Sequence, residues 1–113
     1  MRREYLNIRM LLKELGVKRN YLGLEYLIAS IKLLDEDSSS LALTNVSKLI
    51  YTRIAAQYHT SVFCVERNIR TLIKAIWESG NRDLMNKIFL GDIQTCPSNS
   101  TFIYCFWLYY HVQ

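Results

Sequence analysis

The sequence predicts an all-α fold: a compact domain of six or seven short helices containing a helix-turn-helix. Three observations predict it. Apolar residues recur every three or four positions along most of the chain, the period of one helix face. Four Gly and one Pro in 113 residues are too few for sandwiches and barrels, which need a turn every few residues. No segment alternates apolar and polar residues convincingly at period two. With 50% of residues hydrophobic and 21% charged, a packed core is expected and wholesale disorder is not. The length suits one domain spanning residues 1–113.

The elements follow in order. Tyr5, Ile8, Leu11, Leu12 and Leu15 mark a first helix from about Glu4 to Leu15, with Gly16 as its C′ residue. Residues 17–22 form a connector. Tyr26, Leu27, Ile31 and Leu34 share one face of a second helix, about Gly23 to Leu34, which gives way to an acidic and serine-rich loop at 35–40. Thr44 is a good N-cap for a third helical stretch carrying Val46, Leu49 and Ile50. A short helix follows through Ile54, Ala55 and Ala56 to Tyr58, then a connector from His59 to Val62. A long helix is expected from about Phe63 to Ser79, ending at Gly80 as a C′ glycine. Asp83 to Phe89 forms another short helix before Gly91. Pro97 fits a pre-helix turn, and Ser98 or Asn99 can cap the last helix, Ser100 to about His111.

The net charge of +4 is mild, but it is localised. Between Lys48 and Lys74 the bases are Lys48, Arg53, Arg67, Arg70 and Lys74, and the only acid is Glu66, so 5 − 1 = +4. The remaining chain has 9 bases and 9 acids and sums to zero. At about 100° per residue, Val65, Ile69, Leu72 and Ile76 of the long helix fall within roughly 60° and form a core stripe. Glu66, Arg67, Arg70 and Lys74 fall within roughly 100° on the opposite side.

In a helix-turn-helix the second helix enters the major groove with its N-terminal part against the bases. Arg67 and Arg70 suit guanine, whose O6 and N7 accept paired contacts. Glu66 can accept from a cytosine amino group or hold Arg70 at the i,i+4 spacing. Lys48, Arg53, Ser61 and Lys74 are the candidates for phosphate contacts. The competing reading is a charged face that is merely solvated.

Other chemistries have little support. Cys64, Cys96 and Cys105 include no CxxC pair, so no zinc site is expected even with His59 and His111. Three reduced thiols, two of them buried, are the expectation. No cofactor or small-molecule substrate is expected, because paired carboxylates, a nucleophile with a His partner and a glycine-rich phosphate loop are all missing. His59 and Cys64 read as a polar turn residue and a small helix-start residue. The chain is therefore not expected to be an enzyme. The opening Met1-Arg2-Arg3 precedes a stretch broken by Asn7, Arg9, Lys13 and Glu14, so no signal peptide is expected. The longest apolar run, Phe102 to Tyr110, is half of the about 20 residues a membrane span needs. A cytoplasmic, nucleoid-associated protein fits these features.

The string from Ile50 to Asn81, IYTRIAAQYHTSVFCVERNIRTLIKAIWESGN, resembles the DNA-binding effector domains of the stage-zero sporulation master response regulators of endospore-forming Firmicutes. ELGV at Glu14 to Val17, with Gly23, Tyr26 and Leu27, is similar to the family's opening helices. IFLGD from Ile88 resembles its Ile/Leu-Phe-Gly segment with one residue inserted. PSNSTFI at Pro97 to Ile103 resembles the start of its last helix. The resemblance covers about residues 8 to 103, and VERNIR (Val65 to Arg70) is its most specific part.

The resemblance implies a helical, helix-turn-helix effector domain that binds a GTCGA-containing box in double-stranded DNA and contacts RNA polymerase sigma factors. It implies that Glu66, Arg67 and Arg70 lie on the base-reading helix. It also implies a receiver domain that controls dimerisation, and the 113 residues contain no acidic phosphoacceptor cluster on parallel strands. Phe63 and Cys64 stand where the family has Ser-Arg, Thr52 and Arg53 where it has Pro-Asp, and Thr71 where it has His. The last helix, charged in the family, is apolar here from Tyr104 to Tyr110. Phe102, Phe106 and Tyr109 or Tyr110 are expected to pack inward. Tyr104, Trp107 and Tyr110 are candidates for self-association, as a homodimer or against another protein. The alternative function is thus a protein-interaction module that keeps the fold with weakened DNA reading.

Overall fold

A computed structural model describes residues 3–36 and 49–112 of the chain. Among these residues there are six helices: α1 (Arg3–Glu14), α2 (Leu22–Glu36), α3 (Tyr51–Gln57), α4 (Val62–Ser79), α5 (Arg82–Ile88) and α6 (Asn99–Val112). The all-α expectation holds, and no strand occurs among the described residues. The helix start near Thr44, with Val46 and Lys48, lies outside the described residues. Residues 49 and 50 lead into α3 as a wider π turn.

The core forms where the apolar periodicity places it. Ile8, Leu12 and Leu15, then Leu27, Ile31 and Leu34, are each no more than 1% exposed. They meet Ile54 of α3, Val65, Ile69, Leu72 and Ile76 of α4, and Phe102 and Phe106 of α6. The most extensive helix pairing is α2 on α4, followed by α3 on α4. A part-buried ion pair adds a clamp between α1 and α2. The Arg9 guanidinium donates to both carboxylate oxygens of Glu25, at 2.9 and 3.1 Å.

Three close backbone approaches fix how α4 sits. Gly23 comes nearest: a Cβ there would stand 2.2 Å from the Asn68 carbonyl oxygen. Gly16 ends α1 with φ +109, and its N–H bonds the Lys13 carbonyl while that of Val17 bonds Leu12. This is the Schellman pattern that the C′ assignment of Gly16 anticipates. Gly80 differs from expectation. It is extended (φ −88, ψ −172) rather than left-handed. Its constraint is packing: a Cβ would lie 2.3 Å from the Ile76 carbonyl oxygen and 2.4 Å from that of Leu15. The Asn81 N–H donates to the same Leu15 carbonyl at 2.9 Å, tying the end of α1 to the end of α4.

Two helices end on left-handed residues that are not glycine. His59 (φ 55) closes α3, with the Thr60 N–H on the Ala55 carbonyl at 2.9 Å. Leu90 (φ 58) closes α5, with the Gly91 N–H on the Asn86 carbonyl at 2.9 Å. The glycine after α5 therefore falls one residue late, and Leu90 occupies the strained position with 92% of its surface exposed. That is the residue inserted relative to the Phe-Gly pattern.

The start of α6 separates two roles that the sequence left open. Ser98 is the cap, its Oγ accepting from the Thr101 N–H at 3.3 Å. Asn99 is buried and turned toward α4. Phe102, Ile103 and Phe106 fill the core, with Phe102 6.0 Å from Phe89 and 5.8 Å from Phe106 between ring centroids. The thiol expectation needs correction. Cys64 and Cys105 are half-buried and Cys96 is exposed, because each lies beside rather than within the apolar stripe of its segment.

Leu90→Gly is expected to stabilise the protein by about 0.5–1 kcal/mol, the left-handed strain of a non-glycine residue less the entropy glycine loses. Gly23→Ala is expected to destabilise it by about 2–3 kcal/mol, since the helices must separate to admit a methyl group. Urea unfolding midpoints at constant m-value check both.

Candidate nucleic-acid interface

The second helix of the helix-turn-helix begins one residue earlier than its periodicity predicts. Ser61 is the N-cap, in extended conformation (φ −97, ψ 156), and its Oγ accepts from the Cys64 N–H at 3.0 Å. Ser61 thus has a structural task that the sequence reading did not assign. The recognisable signal was a serine immediately ahead of an amphipathic run. Its hydroxyl proton remains available to a further acceptor.

Beyond the cap, α4 is two-faced as expected. Val65, Ile69, Leu72, Ile73 and Ile76 are buried, while Arg67, Arg70 and Lys74 are exposed. Glu66 lies at the margin, half-buried, and its carboxylate stands 3.5 Å from the Arg70 guanidinium. The i,i+4 pair is therefore present, with both side chains about half in solvent. Among the described residues Arg67 and Lys74 have no ion-pair partner. The Thr71 hydroxyl turns back to the Arg67 carbonyl at 3.0 Å.

The neighbouring elements hold this face in place. The Asn99 amide donates to the Glu66 carbonyl oxygen at 2.9 Å, fastening the start of α6 to the second turn of α4. The loop before α6 runs close to the cations. Partial burial pushes the Cys96 thiol up, and Lys74 and Arg70 are near enough to oppose that rise. Arg53 is exposed on α3. Lys48 lies outside the described residues. Arg82, outside the Lys48–Lys74 segment, adds a cation just past α4. Its guanidinium lies 3.6 Å from the Trp77 ring centroid and donates to the Trp77 carbonyl at 2.8 Å.

The α6 residues assigned to self-association divide. Tyr104 is 39% exposed, as is Leu108 one turn on at 40%. Trp107 and Tyr110 are half-buried against the core. The Trp107 indole N–H donates to Asp35 Oδ1 at 3.0 Å, and His111 Nε2 meets the same oxygen. Thus Asp35, expected in a solvated loop, instead ends α2 and anchors α6. Among the described residues no helix is long and apolar enough to cross a membrane. No group of three or more His, Cys, Asp or Glu among them is placed to hold a metal ion.

Two stability effects test this arrangement. Ser61→Ala is expected to cost about 1 kcal/mol by removing the cap, and Ser61→Gly only a few tenths. Asn99→Ala is expected to cost about 1–2 kcal/mol, because it deletes a part-buried tie between helices. Both are read from urea midpoints.

The all-α fold agrees with the sequence comparison. The family model described as sporulation initiation factor Spo0A, C terminal, matches residues 8–108, and the chain belongs to that family.

Proposed function

We propose that this chain is a sequence-specific double-stranded DNA-binding domain that regulates transcription in sporulation initiation, with α4 in the major groove. The single observation that carries the reading is the face of α4. Arg67, Arg70 and Lys74 stand exposed in one stripe, diametrically opposite the buried residues that dock the helix. Membership in a family of sporulation-initiation effector domains supports the same class of function.

In this reading Arg67 and Arg70 donate to guanine O6 and N7, since a guanidinium fork matches those two acceptors. Glu66 orients Arg70 in the free protein and accepts from a cytosine amino group in the complex. Lys74, Arg53, Lys48 and Ser61 contact phosphates and set the register. The unit is a single effector-type domain, 1–113, acting at the nucleoid. Catalysis forms no part of this function.

Fluorescence anisotropy on a GTCGA-containing duplex and on its scrambled counterpart tests the proposal. Arg67→Ala or Arg70→Ala is expected to lose about 1–3 kcal/mol on the specific duplex and to relax specificity. Lys74→Ala is expected to weaken both duplexes alike and to reduce the salt slope by about 1. Equal wild-type affinity for both duplexes at physiological salt would sink the specific reading.

A second reading has one observation in its favour. Tyr104 and Leu108 are exposed four residues apart on α6, forming a small apolar ridge. Through it the domain would contact another protein, either a second copy or an RNA polymerase sigma factor, with DNA reading weakened. Sedimentation of the wild type against Tyr104→Ser addresses the homodimer. A monomer for both chains at tens of micromolar counts against it.

A further inference from the structure

We propose that Phe63 is a specificity-determining residue of α4, its ring packing on the 5-methyl group of a thymine in the major groove. The inference rests on the reading of α4 as the groove-binding helix. Phe63 is the second residue of α4 and is 72% exposed, more than any other aromatic among the described residues.

Its direction is set by the helix. At about 100° per residue, Phe63 lies roughly 40° from Arg67 and roughly 20° from each of Arg70 and Lys74. The four side chains thus form one stripe about 60° wide, with Phe63 at its N-terminal end. A rise of about 1.5 Å per residue puts it roughly 6 Å ahead of Arg67 along the axis. The N-terminal part of a recognition helix is the part that meets base edges. A helix that turns Arg67 and Arg70 to the bases therefore turns Phe63 there too.

The chemistry then narrows the contact. A phenyl ring offers no hydrogen bond to a phosphate, an amino group or a carbonyl. The apolar feature of the major groove is the thymine methyl, which aromatic and aliphatic side chains read. Covering both the ring and the methyl removes apolar surface from water on each partner. The cations on the same stripe supply the phosphate attraction that brings this ring into the groove.

The test uses the full chain. The tightest-binding duplex is selected from a randomised pool with the wild type, and each thymine in it is replaced in turn by deoxyuridine. This removes the methyl and leaves pairing intact. The expected result is one position at which uracil weakens wild-type binding about fourfold, the worth of one buried methyl group. Phe63→Ala should bind the thymine and uracil duplexes equally at that position, with an unchanged melting temperature. A selected site at which uracil is tolerated throughout overturns the Phe63 assignment alone, as does an undiminished uracil effect in Phe63→Ala. A pool that yields no preferred sequence overturns the reading of α4 itself, and this inference with it.

Discussion

At Gly23 the first turn of α2 lies against the backbone of α4, so close that a methyl group would stand 2.2 Å from the Asn68 carbonyl oxygen. Farther along, Gly16 packs on Gly80, and the Leu15 carbonyl accepts from the Asn81 N–H. These contacts are between backbones, which cannot adjust as side chains do. They hold α4 both along its length and at its C-terminal end. The roll of α4 about its axis is fixed as a result, and with it the direction of every outward side chain. Burial of Val65, Ile69, Leu72 and Ile76 drives the helix onto α2, and the glycines determine how near it comes.

The outer face has different energetics. A half-exposed ion pair such as Glu66–Arg70 contributes little to stability, typically about 0–1 kcal/mol. The fold therefore does not require Arg70 to stay with Glu66. The guanidinium can exchange one acceptor for another at small cost, which suits the base contact proposed for Arg70. The backbone beneath it is held more firmly. Asn99 takes the Glu66 carbonyl, and Ser61 closes the first turn. A rigid helix carrying lightly paired cations is suited to recognition, because little order has to be created on binding.

The features legible in the sequence were the ones with local periods. The spacing of Val65, Ile69, Leu72 and Ile76 identified the buried side of α4, and the same spacing with the opposite phase identified its charged side. Gly16 was legible because a Schellman end is a local device. Gly80 and Gly23 were not, since their constraint is the approach of a segment distant in the chain. Leu90 was invisible for another reason: leucine carries no left-handed preference, and Gly91 beside it looked like the natural terminator. The apolar run of α6 concealed two outcomes. Phe102 and Phe106 went to the core as expected. Trp107 found a polar partner in Asp35, 72 residues away in sequence, which no pattern within either segment announces. In the candidate site, the outward placement of Arg67, Arg70 and Lys74 is readable, and the serine ahead of the amphipathic run carries the local signal for the cap at Ser61, whereas the tie from Asn99 emerges only from the packing of α6 on α4.

The central claim is that α4, held by its glycine contacts, presents its outer stripe to DNA. Titrating the isotopically labelled protein with a GTCGA-containing duplex and following amide and arginine side-chain resonances by NMR tests it most directly. The account predicts that the largest changes fall on residues 61–74 and on the guanidinium groups of Arg67 and Arg70, with α6 beyond Tyr104 little affected. Changes concentrated around Tyr104 and Leu108, with α4 unmoved, would contradict it.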